Sequence, residues 1–347
     1  MRSRTTHSPA SIAWILLILP GLILPGCSSG SDLTANTPDL YFPVNSEDGY
    51  GIMNCSGEWL LEPVGRTNGI INGQMVNGLA PFISISEGYE TFINREGGFP
   101  FEKYDHVKPF SEGLAAVQVD GKWGFIDTTG KYVIQPQFPG TMVGYFHDGL
   151  ANVATEATTF GISRNWIFIN KKGDQVLGPY SWADPFSDGY AAVSGYGEDH
   201  LSGFIDTNGD FVLQFTQESG YSPAGNYGDE LFPVHDLRKQ FEEGVCAVGF
   251  MNKKAEWVID PEYCIVGTFR DGLAPVSSTL DITLSEYGYI NTSGRLVIEE
   301  QYQFVSEFSG GCARVARQNY SGAHRTRSLY PFLEWYFSIP LWKSLHS

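Results

Sequence analysis

The chain is predicted to be an all-β repeat array, on three observations. A glycine-led strand phrase recurs, clearest at Gly113-Leu114-Ala115-Ala116-Val117. A turn phrase recurs beside it: an apolar pair, then Asp or Asn, two variable residues and glycine, as in Phe125-Ile126-Asp127-Thr128-Thr129-Gly130. No segment of the array sustains the 3.6-residue apolar period of an amphipathic helix, so helix is expected to be minor. Each unit of such an array can bury its apolar face only against its neighbours. The array is read over 41–322.

The unit at 111–138 sets out the elements in order. A strand at 114–119 meets Asp120-Gly121, a strong two-residue hairpin signal. A second strand, 123–127, leads into the Asx turn. There the Asp or Asn side chain accepts a hydrogen bond from its own backbone two residues on, and the fourth-position glycine supplies a positive φ. Copies of this turn start at Asn54, Asn94, Asn170, Asp206 and Asn291. A seventh, at Asn252, has Ala255 in place of glycine, so it is expected to be strained. The third strand, 131–135, is expected to end at Pro136, which cannot donate to a ladder; Pro63 and Pro261 stand in the matching place. An aromatic linker then leads to the next unit.

The strand phrase begins at Gly78, Gly113, Gly149, Gly189, Gly244, Gly272 and Gly311. The gap from Gly189 to Gly244 is long and the next one short. This predicts an insertion at 217–241 and a deletion in the sixth unit, where Ala247-Val248 runs almost directly into Gly249-Phe250. Seven or so units of two or three strands result. Because they are uneven, an open, curved, solenoid-like array is preferred to the alternative, a closed β-propeller-like ring.

These residues resemble the WG repeat family, named for the pair present here as Trp123-Gly124. Tyr50-Gly51 and Tyr287-Gly288 replace the tryptophan, only the glycine survives at Ser202-Gly203, and Trp166 leads into Ile167. The resemblance implies a repetitive all-β protein and no catalytic residue. The recurring aromatic is read as packing of one strand on the neighbouring unit, in preference to a row of ligand-stacking rings.

The N-terminus supplies an address. Arg2 and Arg4 precede an apolar run, 12–24, shorter than the roughly 20 residues that span a bilayer. It ends in Leu24-Pro25-Gly26-Cys27, which resembles a bacterial lipobox apart from Pro25. Residues 1–26 are therefore expected to be a lipoprotein signal peptide, with Cys27 the lipidated residue and 27–40 a flexible tether. Ser28 resembles the signal for the outer membrane in a Gram-negative host. The expected location is the cell envelope. A formal net charge of -17 disfavours nucleic acid and anionic headgroups as partners. The remaining cysteines, Cys55, Cys246, Cys264 and Cys312, are scattered and read as free thiols, although an exported protein allows a disulfide.

Chemistry is sparse. Gly26-Cys27-Ser28-Ser29-Gly30 fits Gly-x-Ser-x-Gly but has no strand before it or helix after it. The seven histidines lack metal-ligand spacing, so no metal is expected. Asp206-Thr207-Asn208-Gly209-Asp210 resembles a calcium loop but has Gln217 at the twelfth position, and reads as a turn. No phosphate loop, cofactor site or catalytic residue is expected. The 217–241 segment, with Asp229, Glu230, His235 and Asp236, is the one place where a separate site could be grafted. The tail, 323–347, is aromatic and basic, and reads as a cap, a docking segment or a truncated unit. The expected function is a binding or scaffolding surface for an envelope protein. The alternatives are a glycan module using exposed aromatics such as Trp182 or Tyr196, or, ranked last, an enzyme.

Overall fold

The computed structural model describes residues 41–316, apart from 47–48, 55–57, 65–68, 72, 74, 158–162, 197–199, 244–245, 280–285, 310 and 312, together with 335–338. The signal segment, Cys27, Cys55, Cys312, most of the tail and the side chain of Tyr196 lie outside the described residues.

Among the described residues the chain forms eight successive antiparallel sheets of three or four strands. In chain order they are blades 1 to 8. Blade 3 shows the full pattern: His106–Val107, Leu114–Val119, Lys122–Asp127 and Tyr132–Pro139, each strand paired with the next. Asp120 and Gly121 have φ of 50° and 71°, the left-handed pair that a two-residue hairpin needs. The Asx turns form as expected: Asp127 Oδ1 accepts from the N–H groups of Thr129 and Lys131, and Asn94, Asn170, Asp206, Asn252 and Asn291 repeat the arrangement. Ala255 has φ +60°, so the turn without glycine keeps the glycine conformation.

Neighbouring blades lock in two ways. An aromatic on the third strand of one blade meets an aromatic of the following linker: Phe92 with Phe110, Phe125 with Phe146, Phe168 with Phe186, Phe250 with Phe269 and Tyr289 with Phe308, at centroid distances of 4.7–5.0 Å. These rings are almost fully buried. Each pair adds about 0.5–1.5 kcal/mol to the area it buries. The Asx-turn glycine also sits over an outer-strand side chain of the preceding blade: Gly97 over Leu61, Gly173 over Ile134, Gly209 over Leu177 and Gly294 over Ile259.

The open solenoid is corrected: the array closes as a β-propeller, the alternative reading. The backbone of the last described strand, Trp335–Ser338, lies against the first, Tyr41–Ser46. Arg270 of blade 7 binds Asp188 of blade 5, which is not its chain neighbour. Tyr145 of blade 4 lies near Glu307 of blade 8, whose charge adds to burial in raising the phenol pKa. We attribute the curvature to wedge-shaped blades. The second strands carry small residues (Ala115, Ala116, Ala151, Ala191, Ala192, Ala274), while the third strands carry Phe, Tyr and Trp. The unevenness seen in the sequence lies in loop lengths and leaves this wedge intact.

Three further expectations are corrected. The sixth unit does not begin at Gly244. Its second strand is Phe232–Asp236, which pairs with Val248–Met251. The extra residues are the helix Leu237–Glu243 and the short stretch that returns the chain to Val248, placed inside the hairpin, so there is no compensating deletion. The outer strands do not end at proline: Tyr132–Pro139 and Trp257–Tyr263 run through Pro136 and Pro261. An outer strand has no further partner for the missing N–H to serve, and a register shift at that point accommodates the ring. Finally, Cys246 and Cys264 are joined as a disulfide, their Cα atoms 4.3 Å apart. Residue spacing alone did not pair them, because the helix folds out of the hairpin ahead of Cys246.

Candidate binding surface

The Trp-Gly pair belongs to the framework. Trp123 is 2% exposed, and its Nε1 donates to the Gly140 carbonyl at 3.1 Å. A Cβ on Gly124 would fall 2.6 Å from both the Ile134 carbonyl oxygen and the Pro136 nitrogen. The glycine is therefore required by the close passage of the outer strand. His106 stacks on the Trp123 ring and contacts Glu90 through Nδ1. Of the aromatics named as ligand-stacking candidates, Trp182 is 40% exposed. Its Nε1 donates to Asp184 at 3.0 Å, and its ring tilts against Trp166.

The turns between the first and second strands converge at one end of the ring. Each is a tight turn whose first central residue is left-handed: Asn77, Glu112, Asp148, Asp188, Asp229 and Asp271 have φ between 46° and 54°. Asn and Asp tolerate this conformation better than most residues. Four of the acids reach forward to the next blade. The N–H of Gly149 donates to Glu112, that of Gly189 to Asp148, that of Gly272 to Asp229 and that of Gly311 to Asp271, at 2.6–3.1 Å. At Asp188 the relay changes. Arg270 donates to its carboxylate at 2.6 Å and to Ser187 Oγ at 2.7 Å, while Nε lies 4.0 Å from Glu307. His147 stands edge-on to Tyr145. The result is a hydrogen-bonded polar face, mostly acidic, on which Arg270 ties three blades together. Sequence reasoning missed Arg270. Its signal was a lone arginine at a position filled elsewhere by Val76, Ser111, His147, Ser187, Gly228 and Ser309.

The 217–241 residues do not converge on one site. Asp229 belongs to the turn relay. Asp236 accepts from the N–H groups of Arg238 and Lys239 at the start of the helix. His235 lies in the strand Phe232–Asp236, where burial lowers its pKa. In the calcium-like segment, Asp206 Oδ1 is taken up by the backbone of Asn208 and Asp210, and these bonds lower its pKa. Among the described residues, no group of three His, Cys, Asp or Glu side chains is placed to hold a metal ion.

Among the described residues, clefts open at two of the seams between blades. One, of about 400 Å³ between blades 5 and 6, is lined by hydroxyl side chains including Ser181, Ser194, Ser202 and Thr216, with His200. The other, of about 500 Å³ between blades 2 and 3, is more aromatic: Phe101, Tyr104 and Tyr132, with Glu102, Lys131 and Gln135. Blade 2 has three strands. After Asn94 the chain returns along it without forming a fourth strand, held by the Tyr104–Glu90 bridge, a Thr91 hydroxyl bond to the Glu102 carbonyl, the Val107 N–H on Glu90 and the Lys103–Glu87 ion pair.

The fold and this end-on ring of turns define a propeller built from short repeats. The family model of the WG containing repeat matches five consecutive segments: 91–123, 123–155, 166–194, 249–278 and 287–319. The unmatched stretch between the third and fourth segments holds the helix insertion. No curated protein matches the chain. Among solved structures, apo AztD from Citrobacter koseri is 13% identical, with a TM-score of 0.48 over 80% of this chain and 88% of that one. A eukaryotic initiation factor is 12% identical, with a TM-score of 0.47 over 81% and 79%. Hsv2 from Kluyveromyces lactis is 10% identical, with a TM-score of 0.39 over 82% and 91%.

Proposed function

We propose that this chain is an envelope lipoprotein whose propeller is a docking platform for a protein partner. One observation carries the reading. The residues that define the repeat (the Trp-Gly pair, the Asx turn and the seam aromatics) are consumed by packing and turns. That leaves a rigid ring whose turn end varies from blade to blade. Rigid scaffolds with variable loops are a common basis for recognition. The acidic turn end, on a chain of net charge -17, favours a partner with a basic contact surface.

The address rests on the order of basic start, apolar run and Cys27. The Cys246–Cys264 disulfide supports it, since such bonds persist in oxidising compartments. Replacing Cys27→Ser should abolish palmitate labelling and release the chain from membranes; unchanged labelling would sink the lipoprotein reading. For the platform, crosslinking in intact cells should map partner contacts to the turns carrying Glu112, Asp148 and Asp271. Crosslinks confined to the helix insertion would refute it.

A further inference from the structure

We infer that the cleft between blades 2 and 3 is a binding site for a neutral pyranose unit of a glycan. The seam here departs from the repeat. Elsewhere the turn glycine sits over an aliphatic side chain; here Gly130 sits over Phe101, and a Cβ would fall 2.7 Å from the ring. The wider ring, beside a blade with three strands and no regular fourth one, leaves an aromatic-lined space at this seam. It is a shallow depression of about 500 Å³, open to solvent.

Its chemistry is specific. Tyr104 lines the cleft and is 3% exposed, and its hydroxyl is buried with no hydrogen-bond partner. Native proteins satisfy nearly all such groups, so an orphan beneath an open cleft points to a polar occupant. Burial, followed by the charge of Glu102, raises the phenol pKa, so this hydroxyl stays neutral and able to donate. In the same lining, Tyr132 Oη donates to Glu102 Oε1 at a long 3.3 Å. A ligand hydroxyl that takes over the Glu102 carboxylate would release Tyr132 Oη for a bond of its own.

Phe101 and Tyr132 offer apolar ring surface, while Glu102, Gln135 and Lys131 offer acceptors and donors at the rim. One acid and one base leave the lining near neutral, and the acidic chain repels anions. Ring surface beside planar polar groups, with no net charge, suits a neutral polyhydroxylated ring. The site is independent of the protein platform on the turn end and can stand or fall without it.

The test is saturation-transfer NMR on the full chain, in a detergent without a sugar headgroup. The probes are the methyl β-pyranosides of glucose, galactose and N-acetylglucosamine at millimolar concentration, with tetramethylammonium as the cationic competitor class. At least one glycoside should receive saturation. Tyr104→Phe and Glu102→Gln should each weaken it at least tenfold, and Trp182→Ala should leave it unchanged. Tyr104→Phe removes only an unpaired hydroxyl, so the variant should fold with an unchanged or raised Tm. Three results would each overturn the proposal: no transfer to any glycoside, equal transfer in Tyr104→Phe, or binding of tetramethylammonium alone.

Discussion

Blades 3 and 4 solve one packing problem from opposite strands. In blade 3 the third strand carries Gly124, and the outer strand opposite carries Gln135. In blade 4 the matching strand, Ser163–Asn170, carries Ile167, and the glycine has moved across to Gly178 on the outer strand, where a Cβ would fall 2.8 Å from the Trp166 carbonyl oxygen and 3.1 Å from the Ile167 Cα. The register confirms the match, since Phe125 faces Ile134 as Phe168 faces Leu177. The close approach belongs to the pair of strands, and either strand can supply the missing Cβ. This explains how the fourth unit loses its Trp-Gly pair while Trp166 stays as buried as Trp123.

The comparison can be broken by exchanging the two solutions. Gly178→Gln alone should cost about 3 kcal/mol, from overpacking and from a side chain at φ +100°. Combined with Ile167→Gly, the part of that cost from the Ile167 side chain, whose Cγ2 lies 3.3 Å from the new Cβ, should disappear, while the backbone contacts and the φ of +100° remain. Chemical denaturation of the four variants would measure the coupling, expected near the lower end of about 0.5–3 kcal/mol for touching residues. Additive costs would show that the two blades are not equivalent. A smaller effect compares turns. Ala255→Gly should stabilise the protein by about 0.5–1 kcal/mol, because glycine reaches φ +60° without the steric cost alanine bears. An unchanged Tm would mean that the turn relaxes.

The smallest effect tests the blade 4–5 boundary through Asp184. Burial raises its carboxyl pKa, and the Trp182 N–H only partly opposes that. A carboxyl whose pKa is raised in the folded state favours folding below its unfolded pKa, and that contribution is lost as pH rises through the folded value. Asp184→Asn keeps an acceptor for Trp182 and removes the ionisation. The variant should therefore gain Tm over the parent at pH 7 and show no gain at pH 3. A gain that does not change with pH would assign it to packing.

Local physics was legible in the sequence. The Asx turns, the Asp120-Gly121 hairpin, the burial of Trp123 and the strain at Ala255 each depend on residues within a few positions, and each appears. Closure was not legible. It depends on the difference in side-chain size between second and third strands, summed around the ring, while the eye is drawn to uneven loops. The sixth unit was misregistered because Gly244-Val245-Cys246-Ala247-Val248 imitates the strand phrase. The true copy, Leu231-Phe232-Pro233-Val234, has proline where the clearest unit has alanine. Leu273-Ala274-Pro275-Val276 and Leu79-Ala80-Pro81-Phe82 carry proline at the same place, so the signal was present. The blade 2–3 cleft was invisible because it arises from a strand that fails to form, and an absence leaves no motif.

Closure also changes how the molecule can open. A linear array frays from its ends, one unit at a time, each step exposing a single face. A ring has no end unit, so releasing any blade uncovers two faces at once. Backbone amides in all the blades should then exchange their hydrogens by one shared opening event, in place of a gradient that fades toward the termini. Where the strand Trp335–Ser338 meets Tyr41–Ser46, the junction acts as the clasp of that cycle, and loosening it would convert one cooperative unit into an arc that unzips.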